Sequence, residues 1–144
     1  MITSSGKTMQ IVVFRLGEQE YGLEIFKVQE IIRLPAITKL PNTADYVVGI
    51  INLRGSIVPV VDMKRKFLQS ETIYSDDTKI IVTEVGSKKF GLIVDEVNEV
   101  LTVHDDMIET SDFGEGGFGA KQIMGIAKIE KRLLILLNIE ETIN

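Results

Sequence analysis

The sequence predicts a mainly β protein made of two related small barrels. Three observations carry that expectation. The chain contains an internal repeat, its apolar residues fall in short β-branched segments broken by glycine turns, and two equivalent strands are apolar on both faces.

The repeat appears when the chain is slid along itself until Ile11 lies over Ile80. Ile11 to Gly17 then covers Ile80 to Gly86, Tyr21-Gly22-Leu23 covers Phe90-Gly91-Leu92, and Val28 to Ile32 covers Val97 to Leu101. A second block follows in the same order, with Gly49 to Leu53 over Gly125 to Ile129 and Ile57 to Val61 over Leu133 to Leu137. The offset is larger in this block, so the second copy carries an insertion. The glycine-rich stretch Gly114 to Gly119 is the candidate. The expected organisation is a disordered tail over residues 1–8, a first barrel repeat over 9–72 and a second over 73–144, with strands open to exchange between the barrels.

Gln10 to Leu16 is rich in β-branched residues and stops at Gly17, and Tyr21 to Ile25 completes a hairpin. Glu30 to Leu34 is a short strand ended by Pro35. Asn42 to Asp45 resembles a helix start, with a capping side chain and an acid in the first turn, and Gly49 would end that helix. Ile50 to Leu53 and Ile57 to Val61 form a hairpin about Arg54-Gly55. The second copy repeats the order with strands over 79–85, 90–95, 99–103, 122–129 and 133–137, and Ile139 to Asn144 closes the chain as a short helix. Ile57 to Val61 and Leu133 to Leu137 lack the alternation of a strand with one wet face, so a surface shared by both barrels is expected there. Pro59 has no backbone donor and is expected at a sheet edge or a bulge. Closing each sheet into a barrel removes edges that would otherwise pair with other chains.

Composition narrows the function. The formal net charge is -5, which disfavours a nucleic-acid binder, since that needs a basic face. There is no cysteine and one histidine, His104. Thiolate catalysis, a disulfide framework, a zinc site and a nucleophilic triad therefore have almost nothing to draw on. The acids Asp105, Asp106, Glu109, Asp112 and Glu115 read as a solvated loop, because the ligand spacing of a calcium loop is missing. Gly114 to Gly119 fits a dinucleotide fingerprint in letters only, because no strand precedes it and no helix follows. No apolar run reaches membrane-spanning length. These readings point to a cytoplasmic protein that is not an enzyme, uses no cofactor or metal, and does not insert in a membrane.

The stretch Tyr21 to Ile31 (YGLEIFKVQEI), the run Leu40-Pro41-Asn42-Thr43, and Gly49 to Asp62 (GIINLRGSIVPVVD) together resemble the signatures of the CheW family of chemotaxis coupling proteins. Leu133 to Ile139 is similar to the closing strand of that family, so the resemblance runs from about Gln10 to the C-terminus. It implies a fold of two five-stranded SH3/OB-like barrels. It also implies an adaptor that couples the cytoplasmic tip of methyl-accepting chemoreceptors to the regulatory domain of the histidine kinase CheA. The resemblance places receptor contacts at Val28, Glu30, Gly49, Arg54, Gly55, Val97 and Val100, and kinase or ring contacts at Leu40, Glu109 and Phe113. An adaptor of another kinase pathway and a small-ligand-binding barrel are the alternative readings.

Overall fold

The computed structural model describes residues 7–110 and 122–142, so the expectation for the glycine-rich insertion lies outside the described residues. Eleven strands run in the order β1 (Thr8–Leu16), β2 (Gln19–Glu24), β3 (Val28–Arg33), β4 (Val47–Leu53), β5 (Ser56–Asp62), β6 (Lys79–Val85), β7 (Lys88–Val94), β8 (Glu96–His104), β9 (Ile108–Glu109), β10 (Ile123–Ile129) and β11 (Arg132–Leu137). Among the described residues two short α-helices accompany them: α1 (Met63–Leu68) follows β5, and α2 (Ile139–Thr142) follows β11. Thr8, expected in the tail, already belongs to β1, and the carbonyl of Lys7 accepts from the amide of Asp105 at 3.2 Å.

The compact units do not follow the boundary between the repeats. One unit is Met1–Lys27 with Asn98–Asn144, and the other is Val28–Val97. Each has its own sheet, ordered β8-β1-β2-β11-β10-β9 in the first and β3-β6-β7-β5-β4 in the second. The leading hairpin of each repeat thus sits in the sheet of the other repeat. Five strands of the first sheet have an equivalent in the second, in the same order. In the first unit β11 runs parallel to β2 with Leu136 opposite Gly22, and in the second β5 runs parallel to β7 with Val60 opposite Gly91. The first sheet holds one strand beyond five, the two-residue β9.

The cores repeat as well. Ile11, Val13, Ala127, Leu134 and Leu136 are buried together with Val103 in the first unit. Ile80, Val82, Ile51, Val58 and Val60 occupy the matching positions in the second unit, joined by Ile93. Burying one such side chain contributes about 1.5–3 kcal/mol, which lets units this small hold their shape. On the strands expected to be apolar on both faces, the first residues diverge from that reading. Ile57 is 71% exposed and Leu133 is 54% exposed.

Three expectations are corrected. Residues 42–48 form no helix, because β4 starts at Val47 and an isolated bridge ties Thr38 to Ile50. Gly49 is therefore not a helix terminator. A side chain there would put its Cβ 2.1 Å from the carbonyl oxygen of Thr38, so the close approach of these two backbones demands glycine. The helix of this unit comes after β5 instead. Asp62, 2% exposed, caps α1 by accepting from the amides of Lys64 (3.1 Å) and Arg65 (3.3 Å). It also accepts from the amide and hydroxyl of Thr72, at 3.0 and 2.6 Å. Finally, Pro59 lies in an interior strand rather than at an edge. The amide and carbonyl of Ile50, its partner on β4, are both bonded to Thr38, so nothing on β4 asks Pro59 for a donor.

Candidate functional site

Arg54 and Gly55 form the two-residue loop of the β4–β5 hairpin, closed by the pair Leu53–Ser56. Both residues have positive φ, 49° and 88°. That is the backbone of the primed hairpin turns, whose twist matches the strands they join. Glycine adopts it freely, whereas a branched or bulky residue does so at a cost on the order of 1–2 kcal/mol. Asn52 steadies the loop by accepting the amide of Gly55 at 2.9 Å. The Arg54 side chain, 68% exposed, reaches back to β3 and donates to the Glu30 carboxylate. The guanidinium holds Glu30 below the usual carboxylate range, with Lys89 adding to the effect, and Glu30 in turn raises Arg54.

Around this pair the unit assembles further residues that the sequence singled out. Val28 opens β3, half-buried, and a bulge between Val28 and Glu30 shifts the pairing with β6. Gly49 is buried in β4 of the same hairpin. Val97 is half-buried near the start of β8 and belongs to the same compact unit. Val100, further along β8, is exposed and belongs to the other unit. Leu40 is exposed in the segment before β4. Glu109 is exposed on β9, where it pairs with Ile126 as Thr38 pairs with Ile50. Phe113 lies outside the described residues.

The sequence reading missed the counterpart of the Arg54 pair. Glu99 aligns with Glu30, and Arg132, at the base of the β10–β11 turn, donates to it at 2.7 Å. The same arginine grips Glu20 on β2 through two bonds of 3.0 Å, and Asn98 adds a third to Glu20 at 2.9 Å. Arg132 depresses Glu20, and the two carboxylates raise Arg132. The turn residue Glu130 has φ 55°, matching Arg54 in backbone but not in charge. The signal was available: Glu99 falls over Glu30 in the repeat, with an arginine close to the equivalent turn.

The groups that the structure brings together here are an exposed arginine and the carboxylate it binds. Among the described residues no cluster of three or more acids or histidines could hold a metal ion, and no helix is long and apolar enough to cross a membrane.

Comparisons with known proteins bear on the family and the fold. Residues 10–144 match the family model described as CheW-like domain. A chemotaxis protein CheW from Klebsiella aerogenes is 34% identical over 97% of this chain and 86% of its own length. The chemotaxis protein CheW of Bacillus subtilis is 33% identical over 90% of this chain and 83% of its own. The crystal structure of the scaffolding protein TtCheW from Thermoanaerobacter tengcongensis superposes with a TM-score of 0.84 and 39% identity, covering 92% of this chain and 86% of that one. A fold of two swapped β units, the Asn-Leu-Arg-Gly turn and a family match over almost the whole length lead to one assignment: the chain belongs to the CheW-like domain family.

Proposed function

We propose that this protein is a cytoplasmic chemotaxis adaptor that couples methyl-accepting chemoreceptors to the histidine kinase CheA. It works by binding and geometry, with no catalytic step of its own. The observation that carries the reading is Arg54. A side chain that occupies left-handed backbone, and stays largely exposed even while bound to a carboxylate, fits a recognition role better than a folding role. A guanidinium offers a partner carboxylate a planar two-pronged fork, which suits specific docking.

In this reading Arg54 and Glu30 are the polar centre of the receptor surface. Val28 and Val97 supply apolar area in the same unit, Val100 is assigned to receptor contact on the other unit, and Gly49 and Gly55 set the backbone of the hairpin that carries Arg54. Leu40, Glu109 and Phe113 are assigned to kinase and ring contacts. The test is titration of the full chain against a receptor-tip fragment and, separately, against the regulatory domain of the kinase. Saturable binding to both supports the adaptor role, and binding to neither overturns it.

A further inference from the structure

The second unit carries an open notch where the first unit is closed. In the first unit the parallel ladder between β11 and β2 begins at Leu134–Glu20 and Ile135–Tyr21. In the second, the matching pairs Val58–Lys89 and Pro59–Phe90 are absent, and the ladder starts only at Val60–Gly91. Pro59 stands where the first unit has Ile135, and a residue without an amide hydrogen cannot complete that stretch. The strands part there around a cavity of 590 Å³, walled by Ile57, Pro59 and Phe90 on the apolar side and by Lys88 and Lys89 with two serines on the polar side.

The closed unit shows what the open one lacks. There Gln19 donates to the carbonyl of Leu133 at 2.9 Å, and Glu20 holds Arg132. In the second unit Lys88 replaces Gln19, Lys89 replaces Glu20, and Ser56 replaces Arg132. The carboxylate is gone: one ammonium group stands at its position and a second replaces the amide of Gln19. Among the described residues neither lysine forms a salt bridge, although the charge of Lys89 also acts on Glu30. Beside them Ile57 presents a largely exposed side chain.

We infer that this notch is a second docking point for the receptor partner, taking a carboxylate on Lys88 and Lys89 and an adjacent bulky apolar side chain against Ile57, Pro59 and Phe90. The partner's acid would supply from outside what Glu20 supplies from within in the other unit. The inference rests on the receptor reading above, because the notch continues directly from the Arg54 hairpin through Ser56 and Ile57. An acidic segment suits it by charge complementarity, whereas a second copy of this chain, with its net charge of -5, would bring general repulsion.

The experiment uses the full chain and a receptor-tip fragment, measured by calorimetric titration at two salt concentrations. Three variants are compared: Arg54→Glu, the double change Lys88→Gln with Lys89→Gln, and a control of equal charge change, Lys128→Gln with Lys131→Gln. Thermal melting of each shows that it is folded. The expected result is at least tenfold weaker binding for Lys88→Gln/Lys89→Gln, a shallower salt dependence, and an unchanged control. A normal Lys88→Gln/Lys89→Gln titration beside a weakened Arg54→Glu overturns the notch and leaves the receptor surface standing. A normal Arg54→Glu titration overturns the receptor surface itself. Equal losses in both lysine pairs would mean that net charge alone is at work, and the notch falls. Sedimentation of the unmodified chain as a dimer that the Lys88→Gln/Lys89→Gln change dissociates would assign the notch to a second copy and overturn the inference. If the double variant melts early, Ile57→Ser repeats the test from the apolar wall, where an exposed site tolerates change.

Discussion

Arg54 is held in left-handed backbone at the tip of the β4–β5 hairpin while its guanidinium is bound by Glu30 on β3. The two facts pull in opposite directions for stability, and that opposition is testable. Arg54→Asn creates the Asn-Gly sequence favoured in this turn and removes the left-handed penalty, at the loss of an exposed, solvent-screened ion pair. Arg54→Asn should melt at or slightly above the parent temperature in a calorimetric scan. Its titration against a receptor-tip fragment should nevertheless be weakened. A clearly lowered melting temperature would make Arg54 a folding residue.

The counterpart turn provides the internal control. Glu130 shares the left-handed backbone, with φ 55°, and carries the opposite charge to Arg54. Glu130→Asn should raise stability slightly, because Asn tolerates left-handed backbone better than Glu, and leave binding to the receptor fragment unchanged. Parallel urea denaturation and titration of the two Asn variants separates strain, which both share, from recognition, which belongs to Arg54.

Arg132 should carry the pH dependence of its unit. Glu20 is depressed chiefly by its hydrogen bonds to Arg132, with Asn98 helping and partial burial opposing. A carboxyl lowered on folding contributes stability that is complete above its unfolded value, 4.5, and is lost as pH falls through the lower folded value. Arg132→Gln should therefore cost about 1–2 kcal/mol at pH 7, discounted for the partly exposed setting. The cost should shrink on acidification below the ordinary carboxylate range. Urea midpoints across that pH series check it, and a pH-independent difference would contradict it.

Two glycines at matching positions should differ in cost. A Cβ on Gly49 meets the Thr38 carbonyl oxygen at 2.1 Å, which is backbone and cannot step aside. On Gly125 the nearest atom is a methyl of Ile108 at 2.7 Å, with the Glu109 oxygen at 2.9 Å. Gly49→Ala should destabilise by about 3 kcal/mol or more and Gly125→Ala by about 1–2, the usual range for overpacking. Thermal unfolding ranks them, and a reversed order would show that β4 and the Thr38 segment are not held together as described.

The buried cap of α1 is the next most sensitive point. Asp62 accepts four hydrogen bonds, two from the helix and two from Thr72, so it ties the helix to the segment leading into β6. Asp62→Ala should cost about 2–4 kcal/mol, combining a lost cap with charge-assisted bonds. Far-UV circular dichroism with urea denaturation would record it.

Local chemistry made much of this fold readable. Gly17 and Gly86 marked equivalent hairpins, and β-branched runs marked the strands between them. The exchange of hairpins between units was open to the sequence only as a possibility, because pairing β2 with β11 or β7 with β5 joins residues far apart in the chain. The helix expected near Asn42 failed because its cap residues serve a turn, and the approach of Thr38 to Gly49 outweighs local preference there. Helix α1 had a readable cap in Asp62, hidden at the end of an apolar strand. At the site, Arg54 stood out as a charged residue in a tight turn. Its partnership with Glu30 and the Arg132 cluster both needed strand pairings that no local pattern specifies.

The central claim is that this protein joins a receptor to a kinase without doing chemistry. Co-sedimentation measures it most directly, with receptor-containing vesicles, purified kinase CheA and this chain mixed at matched concentrations. The account predicts that the chain sediments with the vesicles, that it brings more kinase down with it than sediments in its absence, and that Arg54→Glu abolishes both effects while melting normally. Kinase recovery that is the same with and without the chain, or the same with Arg54→Glu as with the parent, would contradict it.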